Sequence, residues 1–289
     1  MTARREELRE QLLPRLRAWS RHGIHYGLSP RMPASWTSLF GPAHDGSLRA
    51  YAEFFDTALL HVRTDSFPDA ATLARLRQET HEDFAWTVAL EDERMLYRFP
   101  HGHPEREKRG ALNPRFLDPH GVGATVAALL RHLDPHLRVV MLCIGPVYRT
   151  ETLTAGQFHD TLIRCLDALP PECRYAVETT NTGLVLPACR TALRERNVAF
   201  VPAGLPLPDA LTIPDVLSAD VCVLRSDRFT DCDEELGIRE AVRRCLDART
   251  TLYAYCRATA ENGPEDLVRL LAGLDGELAR RSPIRRKAA

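Results

Sequence analysis

Short apolar runs alternate with stretches of helical periodicity along almost the whole chain. From Glu6 to Trp19 the residues Leu8, Leu12, Leu16 and Trp19 recur at three- and four-residue steps, which predicts a helix with one apolar face ahead of the main domain. Eight apolar runs follow, at 24–28, 57–62, 84–90, 138–144, 174–178, 198–202, 220–225 and 251–256. Helices are expected between them at about 47–55, 69–79, 120–133, 155–168, 183–196, 231–247 and 264–280, with only the short turn IPDVLS between the sixth and seventh runs. Near-continuous apolar strands separated by helices call for a covered parallel sheet, and eight repeats predict an α/β fold closed into a (β/α)8 TIM-type barrel with an extra N-terminal helix. An open doubly wound sheet is the alternative. The expected organisation is a helix over 1–22, the barrel over 23–280 and a basic tail over 281–289.

Punctuation supports these boundaries. Ser66-Phe67-Pro68-Asp69 and Asn262-Gly263-Pro264-Glu265-Asp266 place proline and a capping acid where two helices should begin. The segment from Glu91 to Pro119 is polar, carries Pro100, Pro104, Pro114 and Pro119 and has no periodicity, so it is expected to be a long loop after the third strand, placed to act as a lid.

Composition narrows the function classes. Hydrophobic residues at 44% and charged residues at 27% suffice for a sizeable core. With 38 basic and 39 acidic residues the net charge is -1, so no overall field draws the chain to nucleic acid, and any anion site must be local. The tail residues Arg280, Arg281, Arg285, Arg286 and Lys287 read as a solvated terminus. No apolar run approaches the roughly 20 residues of a membrane span, and the N-terminus lacks a signal-peptide pattern, so a cytoplasmic protein is expected. Eight cysteines are scattered singly with no CxxC pair, which reads as reduced, buried thiols; no metal site and no cofactor are expected.

Several anchors in order give the chain from about Ile24 to Leu274 a family likeness. Tyr51-Ala52-Glu53-Phe54-Phe55-Asp56-Thr57, Phe67-Pro68-Asp69-Ala70-Ala71-Thr72-Leu73, Phe84-Ala85-Trp86-Thr87-Val88, Tyr175-Ala176-Val177-Glu178 and Ser218-Ala219-Asp220 leading to Arg225 resemble the YecE-like family, domain-of-unknown-function family 72. The resemblance implies the barrel fold and a site location, but no reaction. The departures fall on polar positions of the family. Ala58-Leu59-Leu60-His61 replaces valine-glutamate-isoleucine-asparagine, Ala89 a lysine and Cys143 a glutamine. Thr180 and Asn181 stand for arginine and histidine, Asp227 for a histidine, and Arg257-Ala258 for an asparagine pair. Glu178 and Arg225 are retained.

Polar residues that end strands are the candidates for chemistry, because α/β barrels bind ligands there. Glu178 could be a general base, or else one half of a structural ion pair. Arg225 and Arg257 suit a phosphate or carboxylate, or could instead neutralise Glu178 or Asp227. His61 could carry a proton or be a hydrogen-bonded core residue. Ser29, Asn181 and Asp227 complete the expected ligand contacts. His101-Gly102-His103 has metal-pair spacing but sits among loop charges and reads as solvated, and Gly121-Val122-Gly123 lacks the rest of a phosphate loop. Two functions follow. One is an enzyme, or former enzyme, that binds a small anionic molecule, such as a phosphorylated or sugar-like one, with Glu178 and His61 as the catalytic candidates; the other is a non-catalytic barrel serving as a binding or regulatory module. Metal-dependent phosphodiester cleavage has too few histidines and carboxylates at the strand ends. The oligomeric state is left open.

Overall fold

The computed structural model describes residues 2–28, 36–40, 48–63, 67–148, 152–226, 231–257 and 262–281. Helix α1 (Thr2–Ser20) precedes β1 (Ile24–Leu28), α2 (Thr37–Phe40), α3 (Leu48–Ala52) and β2 (Thr57–Val62). The chain continues through α4 (Ala70–Gln78), β3 (Ala85–Leu90), α5 (Pro119–Leu133), β4 (Leu137–Ile144), α6 (Ala155–Asp167), β5 (Arg174–Thr179), α7 (Pro187–Glu195) and β6 (Ala199–Pro202). It ends with α8 (Leu207–Ala210), β7 (Val221–Ser226), α9 (Cys232–Ala248), β8 (Thr251–Cys256) and α10 (Pro264–Arg281). The expected strands are all present. Side-chain caps start the helices where the sequence placed them: Asp69 accepts from the Thr72 amide at 2.7 Å, and Asp118 from Gly121 at 3.0 Å.

The closed eight-strand barrel does not form. The strands make two parallel sheets, one ordered β1-β8-β7 and the other β2-β3-β4-β5-β6. At the first break a side chain takes the place of ladder hydrogen bonds: the Tyr51 hydroxyl accepts from the Leu28 amide at 2.9 Å and donates to the Thr57 carbonyl at 2.7 Å. The strands meet closely here, since a Cβ on Gly27 would lie 2.8 Å from the Thr57 oxygen and 2.9 Å from the Tyr255 ring. At the second break β6 has only four residues and ends in Pro202, which has no N–H to donate.

Both sheets share an interior cluster that includes Leu59, Ala89, Met141, Ala176, Val201, Val223, Tyr253 and Tyr255. A larger apolar layer lies between the sheets and the helices. The stripe Leu8, Leu12, Leu16 and Trp19 on α1 is fully buried, worth about 1.5–3 kcal/mol per leucine. Helix α1 lies alongside α10, running in the same direction, with Arg4 paired to Glu265 and Arg15 to Asp275. No helix among the described residues is long and apolar enough to cross a membrane. Six cysteines are buried and Cys143 half-buried as free thiols, but Cys232 is exposed, unlike the expectation.

Candidate functional site

Side chains alternate between the two faces of a strand, so the residues that line the interior fix what faces inward at each strand's end. Leu59 leads to His61, Ala89 to Glu91, Met141 to Cys143, Ala176 to Glu178, Val223 to Arg225 and Tyr255 to Arg257. Register sets their heights: His61 pairs with Ala89, Cys143 with Glu178, Glu178 with Val201 and Arg225 with Tyr255. The inward face thus changes from apolar to polar at the C-terminal ends of five of these six strands, Cys143 on β4 being the exception.

Glu178 is buried, and both its oxygens accept from one nitrogen of Arg225, Nη1, at 2.9 and 2.8 Å. This pair joins β5 to β7 across the second break, linking the two sheets. Burial, reinforced by the neighbouring Glu178 carboxylate, pushes the Cys143 thiol far above its ordinary range, so it stays protonated and is a poor nucleophile. On the other side, His61 Nδ1 lies 2.8 Å from Glu91 Oε1. That hydrogen bond holds the Glu91 carboxyl below the usual carboxylate range, against the effect of its burial, with help from His61, Arg225 and Arg63 charges. Arg225 therefore sits in the field of both carboxylates.

A cavity of about 450 Å³ opens at the second break. Phe200, Val201, Leu207, Leu211 and Val223 give it apolar walls, while Glu178, Arg225 and Glu234 are its charged groups. Glu234 is engaged by the Leu207 amide and the Ser226 hydroxyl, each at 3.0 Å.

The remaining expected contacts separate. Arg257 continues from β8 with an exposed side chain, its amide bonded to Ser226 at 2.9 Å. Asn181 donates to the Gly145 carbonyl at 3.2 Å and so ties the end of β5 to the end of β4. Ser29, Asp227 and the tail beyond Arg281 lie outside the described residues.

The loop after β3 is folded: His101 is exposed, as expected, but His103 is buried. Asn113 donates to the carbonyls of Glu93 and Leu96, the Gly145 amide to Met95, and Phe99 and Leu117 are buried. His103 is 5% exposed, accepts at Nδ1 from the Glu105 amide and meets Glu93 through Nε2 at 2.9 Å. Glu93, His103 and Glu105 place three ligand atoms within 4.8 Å of one another. Lys108, however, sits 3.2 Å from Glu93 and 2.7 Å from Glu105, so its ammonium already fills the place of a cation. Gly121 and Gly123 begin a helix whose first turn is capped by the Asp118 carboxylate, which opposes a phosphate there.

The sequence pattern placed Glu178, Arg225 and His61 at strand ends, where they are found. It missed Glu91 and Glu234. The alternation Leu59-His61 and Ala89-Glu91 was the available signal for Glu91; nothing local marks Glu234, which opens α9 and reaches the cavity through tertiary packing.

Residues 32–287 match the family described as "Protein of unknown function DUF72". No curated protein matches the chain. Among solved structures, a DUF72 family protein of Thermotoga maritima MSB8 is similar at 14% identity and a TM-score of 0.57, over 89% of this chain and 99% of that one. A DUF72 family protein of Enterococcus faecalis V583 is similar at 11% identity and a TM-score of 0.53, over 89% of this chain and 98% of that one. At these identities the likeness is one of fold.

Proposed function

The chain belongs to the DUF72 family, and we propose that it binds a small anionic molecule where the two sheets part, with Arg225 as the receiving group. The observation that carries this is the combination of a half-open cavity of about 450 Å³ with apolar walls and an arginine whose position is fixed by both oxygens of Glu178. Binding sites are commonly apolar concavities with a few placed polar groups, and a guanidinium is suited to carboxylate or phosphate. Among the described residues Arg225 is the one cation lining the cavity, beside Glu178 and Glu234, and Arg63 adds positive charge near Glu91.

Glu178 acts here as a positioning residue that holds Arg225, rather than as a base, because both its oxygens are turned to the guanidinium. This favours the binding reading over catalysis by Glu178. A second reading, proton transfer at the same rim, is supported by the His61–Glu91 pair, in which a carboxylate orients an imidazole.

The test is a thermal-shift panel of small carboxylates and phosphates on the wild type and on Arg225→Ala. A ligand present at 100 times its Kd adds about 2.7 kcal/mol of stability. At least one anion should raise the melting temperature of the wild type and leave that of Arg225→Ala unchanged. Equal stabilisation of both proteins by every active anion would refute the assignment.

A further inference from the structure

The opposite end of the strands carries a second concentration of positive charge. A groove of about 530 Å³ lies between the last turn of α4, the turn before β3 and the last turn of α5. Arg77, Arg131, His132 and His136 line it, with Glu82 as the one lining carboxylate. Arg138 and His81 add to the field that acts on His136.

One part of this has an ordinary explanation. Arg77 and Arg131 sit in the last turns of their helices, where cations offset the partial negative charge of the C-terminus. His136 is different. It is 6% exposed, and its backbone is fixed by an N–H to Leu133 and a carbonyl that accepts from Trp86, both at 2.7 Å. Its Nδ1 is buried with no hydrogen-bond partner among the described residues. A buried polar atom without a partner is costly, and this one belongs to a residue that lines a groove of cations. Burial and then the charges of Arg77, Arg138 and His81 lower its proton affinity, with Glu82 opposing, so the imidazole is neutral at pH 7.

We propose that this groove is a phosphate site, taking the phosphate or diphosphate group of a small molecule between Arg77 and Arg131 with His136 as the buried hydrogen-bond partner. Guanidinium groups provide the forked donors that phosphate oxygens accept, and the anion gives the imidazole a partner. The site is independent of the cavity at Arg225, which lies at the other end of the strands.

Pyrophosphate is the probe, titrated by calorimetry and by imidazole NMR into the full chain, the Arg77→Ala/Arg131→Ala double variant and Arg225→Ala. Both substituted arginines of the double variant are exposed, so its melting temperature should match the wild type. Pyrophosphate should move the His136 imidazole resonances, bind about tenfold or more weakly to the double variant, and bind Arg225→Ala as it binds the wild type. Unchanged affinity in the double variant, loss of affinity in Arg225→Ala alone, or no response of the wild type would each overturn the proposal. Unchanged affinity in the double variant leaves the reading of Arg225 untouched, whereas loss of affinity in Arg225→Ala alone would move pyrophosphate to the cavity at Arg225.

Discussion

Asp56 shows how single side chains tie the start of the fold together. Burial alone would raise its carboxyl, but hydrogen bonds with His25, at 2.8 Å, and Ser20, at 2.5 Å, outweigh that and hold it below the usual range. Ser20 ends α1, His25 is in β1 and Asp56 directly precedes β2, so one carboxylate fastens three elements. A folded-state value below the unfolded one means that the unfolded chain takes up the proton first as pH falls. The stabilisation is therefore complete above the unfolded carboxylate value, about 4, and is lost as pH drops through the folded value. Glu91, lowered by His61, behaves in the same way. Melting temperature should fall below about pH 4, and Asp56→Asn should be less stable at neutral pH and lose less on acidification. An acid profile identical to that of the wild type would show that Asp56 does not contribute. Neither half of this was legible in sequence, since Ser20, His25 and Asp56 are brought together by the packing of α1 and not by any local spacing.

Elements were legible where periodicity decides them. A strand reads as a short apolar run and a helix as a three- and four-residue stripe, so β1, β2 and β8 fall where the pattern put them and α1 buries the expected face. Closure was not legible, because it depends on hydrogen bonds between strand edges that apolar patterning does not encode. Tyr51 illustrates the point: its place in an aromatic run says nothing of a hydroxyl that bridges Leu28 and Thr57. The four-residue helix α8 was also missed, being too short to show a period. Tyr51→Phe removes the bridge and leaves a buried amide and a buried carbonyl without this partner, at a cost of about 1–3 kcal/mol. Hydrogen exchange should speed up at Leu28, more than at the centre of the five-stranded sheet. Unaltered exchange there would mean that the hydroxyl does not hold the two edges together.

For the molecule as a whole, the second break is where fold and candidate function coincide. A short β6 ending in Pro202 leaves a gap before β7, α8 and α9 form its outer wall, and Glu178 and Arg225 span it from within. The strand ends of Glu178 and Arg225 could be read in the sequence, but the gap that gives them a cavity could not. The central claim is that Arg225 serves a ligand and is not only the partner of Glu178. The direct measurement is mass spectrometry of the small molecules released from the wild type and from Arg225→Ala, purified side by side, with melting temperatures taken on the same samples. A small anion should be released from the wild type and be absent from the variant while the variant remains folded; the same molecules from both, or a variant that loses stability with no change in what it carries, would contradict the account.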